Sequence, residues 1–504
     1  MPYSDLLIAS VAIAILYVAY RTVHAIYHLY FHPLAKFPGP RAAVLSGDWL
    51  YRVSQEGNPE GTFAELHRAY GDQAIRIGPN ELHLTDTSLY KTIYSQDGRY
   101  AKDEVFYKAF ANEEGSFETR HMGLHKVLRQ KLAPNFSPAN VLKSQNLIAT
   151  SLIDLAAKIK ERSKGQPVDM VKVCRLFPPD VIIKVVFGES DVIAVSDDDW
   201  DTPVWRTFEV VASSRWLRVC FPFTRWFQDM LPLGLIAHFD ANLRSVKEFL
   251  ELCVTHVQNF RSGESDIGRT PVLSSIDDLP DSIVIANAGD LVGGGAETTG
   301  YTMAFASWHI LRDTELAKRL VAELDPIFDA AAPGMPGLKD LEAAPVLSAI
   351  IRESLRNGPA WPGRIPRVVP NHEDGKAPLI VDGQIVPPGT TVGISSTTMH
   401  NDPKLWGSNP TSFNIDRWLE PDAATKASYL VGFGKGLRNC VGQNLAMAEL
   451  YMGLAFLFRT YSYELQLQPG QQGWTFIDRV VAQSTTPFMV KMTQRKAVPT
   501  VARM

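Results

Sequence analysis

The chain has 504 residues, 45% hydrophobic and 21% charged, which is ordinary for a globular protein with a large core. A formal net charge of −4 carries no basic signature, so no nucleic-acid partner is expected. Cys174, Cys220, Cys253 and Cys440 show neither disulfide nor zinc spacing and fit a reducing compartment.

The amino-terminal segment departs from that average. Leu6 to Tyr20 is almost purely apolar and contains no Lys or Arg. At ~1.5 Å per residue this run falls short of a ~30 Å bilayer core. Continuing through Val23, Ala25, Ile26 and Tyr27 supplies the missing length, with Arg21 snorkelling to an interface. A cleaved signal peptide is the rival reading, but the basic n-region and the small-residue cleavage site are missing. The first basic side chains, Arg21, Lys36 and Arg41, follow the run, which places the amino end in the lumen and the body in the cytosol. Tyr27, Tyr30 and Phe31 suit an interfacial belt. The stretch Phe31-His32-Pro33-Leu34-Ala35-Lys36-Phe37-Pro38-Gly39-Pro40-Arg41 then breaks the helix with its prolines.

Thr62 to Tyr70 has a short helical pattern, and Ala74–Ile77 and Glu81–Thr85 read as strands around Gly78-Pro79-Asn80. From about 120 to 325 the patterns are mainly helical, interrupted by Pro222, Pro232 and the aromatics Trp216, Phe221, Phe223, Trp226 and Phe227. Asp281 to Asp313 reads as one long, mostly apolar helix with Gly293-Gly294-Gly295-Ala296-Glu297-Thr298-Thr299 in its middle. Each glycine costs ~1 kcal/mol relative to alanine in a helix interior. Three in a row imply either a break or a groove where a ligand approaches the backbone.

Pro345 to Asn357 is a compact helix ended by Gly358-Pro359. Glu353 and Arg356 share one face of it. Such a pair is usually a solvated surface bridge, but the apolar run Val346 to Ile351 buries one side of this helix. Short strands follow at Leu379–Val381, Gln384–Val386 and Thr391–Ile394, and beyond 460 the chain reads as strands and loops.

Cys440 lies in Phe433-Gly434-Lys435-Gly436-Leu437-Arg438-Asn439-Cys440-Val441-Gly442, just before a helical run onward to Arg459. Free N–H groups and the helix dipole there stabilise a thiolate. The glycines let the backbone approach something flat, Phe433 can cover one side of the sulfur, and Arg438 can meet an anion. A single thiolate suits a haem iron better than zinc, which takes four ligands.

This loop resembles the haem-thiolate signature of cytochrome P450 enzymes, Phe-x-x-Gly-x-Arg-x-Cys-x-Gly, at every fixed position. Gly294 to Thr299 resembles the family's central-helix motif, Glu353 to Arg356 its Glu-x-x-Arg signature, and the segment around Arg417 its third partner, Asp416 standing where proline or glutamate is frequent. The 27–40 stretch is similar to the hinge of membrane-anchored fungal members. The resemblance implies a mainly α fold with small peripheral β-sheets and an N-terminal transmembrane helix. Residues 1–31 would form the anchor, 32–41 the hinge and 42–504 the haem domain.

By the same resemblance the cofactor is heme b, its iron ligated by Cys440. Phe433, Arg438, Arg367, His125 and Arg129 would contact the haem, His125 standing where tryptophan is common and Arg438, Arg367 and Arg129 meeting the propionates. Thr298 would face the distal side of the iron, and Glu297 would help relay protons, since releasing water from dioxygen needs two. Glu353, Arg356 and Arg417 would form a buried network supporting the cysteine loop.

The substrate pocket would take Phe106, Phe110 and Phe117, Ala288, Val292 and Ala296, then Ala360, Trp361 and Ile365, and finally Ser484 to Pro487. Arg364 would face an anionic substrate group or solvent. Electrons would come from NADPH through cytochrome P450 reductase, with cytochrome b5 a second candidate donor. The reductase would dock on Arg120, Lys126, Lys131 and Lys435. The expected location is the endoplasmic reticulum membrane, with the catalytic domain cytosolic. The expected reaction is insertion of one oxygen atom into a hydrophobic secondary metabolite. Desaturation, coupling or ring formation is the alternative within the family, and a non-catalytic haem-binding protein the alternative outside it.

Overall fold

A computed structural model of the chain describes residues 3–110, 112–188, 200, 203–224, 230, 241–262, 270–371, 377–467, 469–471, 473–485 and 487–500. The helix Asp281–Arg312 runs 32 residues without a break. Asp313, expected as its last residue, instead caps the next helix, Thr314–Ala331, accepting the amides of Glu315 and Leu316 at 3.0 Å each. The three glycines do not interrupt the central helix. A Cβ on Gly295 would lie 2.6 Å from Cγ1 of Ile182, so glycine lets the helix Met170–Phe187 pack closely there. Gly294 faces no neighbouring atom within 4 Å.

The largest hydrophobic cluster centres on the helices Asp281–Arg312, Met170–Phe187 and Gln443–Thr460, the last carrying Leu450, Leu454 and Leu457 into it, and takes in several neighbouring helices. Burial at ~1.5–3 kcal/mol per large apolar side chain makes this cluster the main stabilising element. Small sheets lie at the periphery. The largest orders its strands Ile75–Gly78, Glu81–His83, Thr391–Gly393, Arg367–Val368 and Ala101–Lys102. The expected strands are present with ends moved by one or two residues. The helix expected from Thr62 starts at Pro59, because the Asn58 side chain accepts the Gly61 amide at 3.1 Å and proline takes the first turn. The helix Pro203–Cys220 ends just before Phe221-Pro222; Trp226, Phe227 and Pro232 lie outside the described residues.

The first helix, Tyr3–Ile26, continues through a π-helical turn, Tyr27–Phe31. Its stretch Ile8–Phe31 is long and apolar enough to cross a membrane, and none of it is buried. The segment expected as a hinge packs down on the sheet: Leu34 and Phe37 are buried with Ala74, Leu82 and Leu84. Arg76, 1% exposed, ties the helix end to the body, donating to the carbonyls of His28 at 2.8 Å and Pro79 at 2.5 Å.

Candidate active site

The cysteine loop is shaped by two glycines in the left-handed region, Gly434 at φ 67° and Gly436 at φ 73°. A Cβ on Gly436 would sit 2.2 Å from the Tyr94 carbonyl, against which the loop is pressed. The Cys440 amide donates to the Phe433 carbonyl at 2.8 Å, closing the loop. Arg129 clamps it from the helix Met122–Leu132, donating to the Asn439 backbone oxygen at 2.9 Å and its side-chain oxygen at 2.7 Å. Cys440 lies deep within the surrounding protein although its own surface is open, and that surrounding mass pushes its thiol up, opposed by the Gly442 amide and the charge on Arg129. The other three thiols are pushed to about 12 by burial. Cys440 is the one exposed cysteine of the four.

A deep network supports this loop. Glu353 and Arg356 are both fully buried and joined bidentately, at 2.7 and 2.8 Å. Glu353 also accepts from Arg417 at 3.1 Å, from the Trp418 indole at 2.8 Å and from the Asn414 amide at 2.8 Å. Arg356 donates to the His400 carbonyl at 2.8 Å, and the His400 ring in turn accepts the Val431 amide at 2.9 Å. Burial and the Arg356 charge push His400 down to about 3, so its ring nitrogen is free to accept. Val431 stands two residues before Phe433, which carries the network to the cysteine loop.

On the central helix, Thr298 is half-buried and its hydroxyl donates to the Gly294 carbonyl at 2.8 Å. Asp290, Gly294 and Thr298 repeat every four residues, so they share one stripe of the helix. That stripe is accessible, whereas Ala288, Val292 and Ala296 are fully buried in the core. The pocket-lining stripe expected at 288, 292 and 296 is therefore displaced by about half a turn. Glu297 is buried and paired with Arg175 at 2.9 Å. Arg175 also stands 3.6 Å from Glu209 and stacks over Trp205 at 3.9 Å. Burial pushes the Glu297 carboxyl up, and Arg175 opposes the shift.

A sequence model described as Cytochrome P450 matches residues 37–492. The chain belongs to the cytochrome P450 family. Its curated relatives include the cytochrome P450 monooxygenase oblB of Cochliobolus heterostrophus, 30% identical over 93% of this chain and 92% of the relative. Another, the tryptophan 6-hydroxylase fscE of Fusarium equiseti, is 30% identical over 88% of each chain. The cytochrome P450 monooxygenase macH of Penicillium terrestre is 28% identical over 98% of each. The protein is thus a P450 monooxygenase, an oxidoreductase of a haem-thiolate family.

The residues present fit that cofactor. Burial, with the charge of the nearby Arg367 added, lowers Arg438 to about 10. Arg367, buried, donates to the Tyr107 hydroxyl at 2.8 Å. His125 is buried with its Nδ1 unsatisfied, and burial with the charges of Arg438, Lys102 and Arg129 pushes it down to about 3. Arg438 Nη1 is likewise buried without a partner among the described residues. Lys102, which sequence reasoning missed, joins this group. It is 7% exposed, and burial plus the two arginines hold its ammonium well below the usual lysine range. Arg367, Arg438 and Lys102 crowded around the neutral His125 call for anionic partners, and a haem carries two carboxylates.

Another missed residue is Glu449 of the helix Gln443–Thr460. It is buried against Thr299 of the central helix, and its carboxyl is pushed well above the usual range by burial. The expected pocket aromatics do converge: Phe110 and Phe117 lie 5.0 Å apart between ring centroids, Phe117 and Trp361 5.6 Å, Phe106 and Phe110 5.8 Å. Arg364 is not free for a ligand, since it pairs with Glu81 at 2.5 Å and its amide donates to Glu60 at 3.3 Å. Of Ser484 to Pro487, residue 486 lies outside the described residues.

Proposed function

We propose that this P450 inserts one oxygen atom from dioxygen into a hydrophobic small molecule of fungal secondary metabolism, with Cys440 as the thiolate ligand of heme b. The observation that carries this reading is the Cys440 loop. It holds one accessible thiol between Arg129 and the Gly442 amide, on the supporting chain from Glu353 through Arg356 and His400 to Val431. When bound, the haem supplies the activation of dioxygen; the chain supplies position and protons. Thr298 holds a hydroxyl on the accessible stripe of the central helix, where it can hand a proton onward through ordered water. Glu297 is the acid proposed to stand behind it, held in reserve by Arg175. Arg438, Arg367, His125 and Arg129 are proposed to anchor the haem, with Phe433 against it.

Electrons are proposed to come from NADPH through cytochrome P450 reductase, with cytochrome b5 as a further donor. Of the four basic residues considered for docking, Lys131 is paired with Asp278 at 2.9 Å and Arg120 with Glu104 at 2.7 Å. Lys126 and Lys435 are exposed and best placed to meet an acidic partner. The helix Ile8–Phe31 supports a single-pass anchor, proposed for the endoplasmic reticulum, with the body in the cytosol.

The test is to supply isotopically heavy dioxygen to cells expressing the chain with a reductase. One heavy oxygen atom in the product supports monooxygenation. A dehydrogenated or coupled product without the label would favour the desaturase or ring-forming alternative, and no product at all would contradict both.

A further inference from the structure

Arg215 sits on the helix Pro203–Cys220 and is 6% exposed. Among the described residues it has no ion pair and no hydrogen bond, and its Nε is buried without a partner. Its guanidinium lies 3.4 Å over the ring of Phe110, the ring that contacts Phe106, Phe117 and Trp361. The next residue, Trp216, packs on Phe106 and also buries an indole N–H without a partner. Two orphaned donors therefore border the same aromatic shelf. Stacking on one ring offsets only part of the cost of desolvating a guanidinium.

The surrounding acids do not neutralise it. Glu118 and Asp478 are near enough for their charges to act on Arg215, yet neither contacts it. Glu118 is buried with its carboxyl against that of Asp290 on the accessible stripe of the central helix, and burial with Asp290 pushes it well above the usual carboxylate range. Asp478 is pushed up to about 7 by burial and by Glu60. Burial thus weakens the negative charge of both acids, and neither forms an ion pair with Arg215 among the described residues. Arg364, the arginine that sequence reasoning pointed to, is already paired with Glu81.

We propose that Arg215 is a specificity-determining anchor for a carboxylate carried by the substrate, whose hydrophobic body lies on the shelf of Phe106, Phe110, Phe117 and Trp361. A planar guanidinium meets a carboxylate through two parallel N–H donors, and in a dry pocket that pairing discriminates strongly against a neutral isostere. The inference rests on the monooxygenase reading for the location of the substrate and extends it to substrate charge.

The test uses full-length haem protein and a ladder of ω-(imidazol-1-yl)alkanoic acids with the matching ω-(imidazol-1-yl)alkanols. The imidazole ligates the iron and shifts the Soret band, and the other end samples the pocket. At the best chain length the acid should bind at least about tenfold more tightly than the alcohol, a difference of ~1.4 kcal/mol. Arg215→Met should erase that preference by weakening the acid while the alcohol binds as before, and Arg215→Lys should keep part of it. Equal binding of acid and alcohol at every length in the wild type would overturn the proposal. So would an acid preference that survives in Arg215→Met. If Arg215→Met fails to hold haem, the acid-to-alcohol ratios of the wild type and of Arg215→Lys decide the matter in the same way. Failure of the monooxygenase reading is distinguishable, because it would show as a product without the heavy oxygen label, whatever the acid-to-alcohol preference.

Discussion

Glu297 is bound to Arg175 at 2.9 Å, across from the helix Met170–Phe187, one helical position round from Thr298. The two partners are unequally dependent on each other. Arg175 retains Glu209 and the Trp205 ring if Glu297 is neutralised, whereas Glu297, with 3% of its side chain exposed, would lose the cation that opposes its desolvation. Arg175→Met should therefore lower the thermal midpoint more than Glu297→Gln, at a cost of ~3–5 kcal/mol for a stranded buried charge. The double variant should recover part of that loss. Equal and additive effects would show that the pair is not coupled.

Thr298→Ala removes a hydroxyl that, among the described residues, bonds to the Gly294 carbonyl of its own helix alone, so folding should survive. Proton delivery should not. The ratio of product formed to NADPH consumed should fall, with the difference appearing as hydrogen peroxide. Acid–base steps of this kind contribute ~10²–10⁴-fold, and waters replacing the hydroxyl should hold the loss toward the lower end. An unchanged ratio would remove Thr298 from the mechanism.

Glu353 accepts five hydrogen bonds in a site with no exposure, from Arg356 twice, Arg417, Trp418 and Asn414. Glu353→Ala should leave two buried guanidinium groups short of a counter-charge, at ~3–5 kcal/mol, a large share of a typical ~5–15 kcal/mol stability. Little haem-loaded protein should be recovered. His400→Ala should be milder, since it removes a single acceptor for the Val431 amide, and should show as faster haem loss. Haem content per protein measures both.

Deleting residues 1–26 should move much of the protein from membranes to the supernatant while haem binding persists. Deleting 1–31 should release it equally well but lower the thermal midpoint further, because the buried Arg76 then loses the His28 carbonyl. Equal midpoints for the two truncations would show that this tie adds nothing.

What the sequence made legible were features written locally. The helix Pro345–Asn357, the glycine-bearing central helix, the Glu353–Arg356 pair and the peripheral strands could be placed because their capping, spacing and turn residues are neighbours in the chain, whereas Arg417, 64 residues from Glu353, entered only through the family resemblance. The accessible stripe of the central helix was not legible. That helix is apolar and buried nearly all round, so its periodicity names no face, and it takes the full burial of Ala288, Val292 and Ala296 in the fold to show that 290, 294 and 298 are the accessible side. Arg175, Lys102 and Arg215 were invisible for another reason. Each acquires its role from residues distant in the chain, and a lone basic residue in a helical or loop pattern reads as solvated surface.

The central claim is that Cys440 carries the haem iron as a thiolate. It is tested most directly by the absorption spectrum of the reduced carbon monoxide complex of purified wild-type protein and of Cys440→His. The wild type should give the red-shifted Soret band of a thiolate ligand, and the variant should lose that band even where haem remains bound. The same band in both proteins, or its absence from haem-loaded wild type, would contradict the assignment.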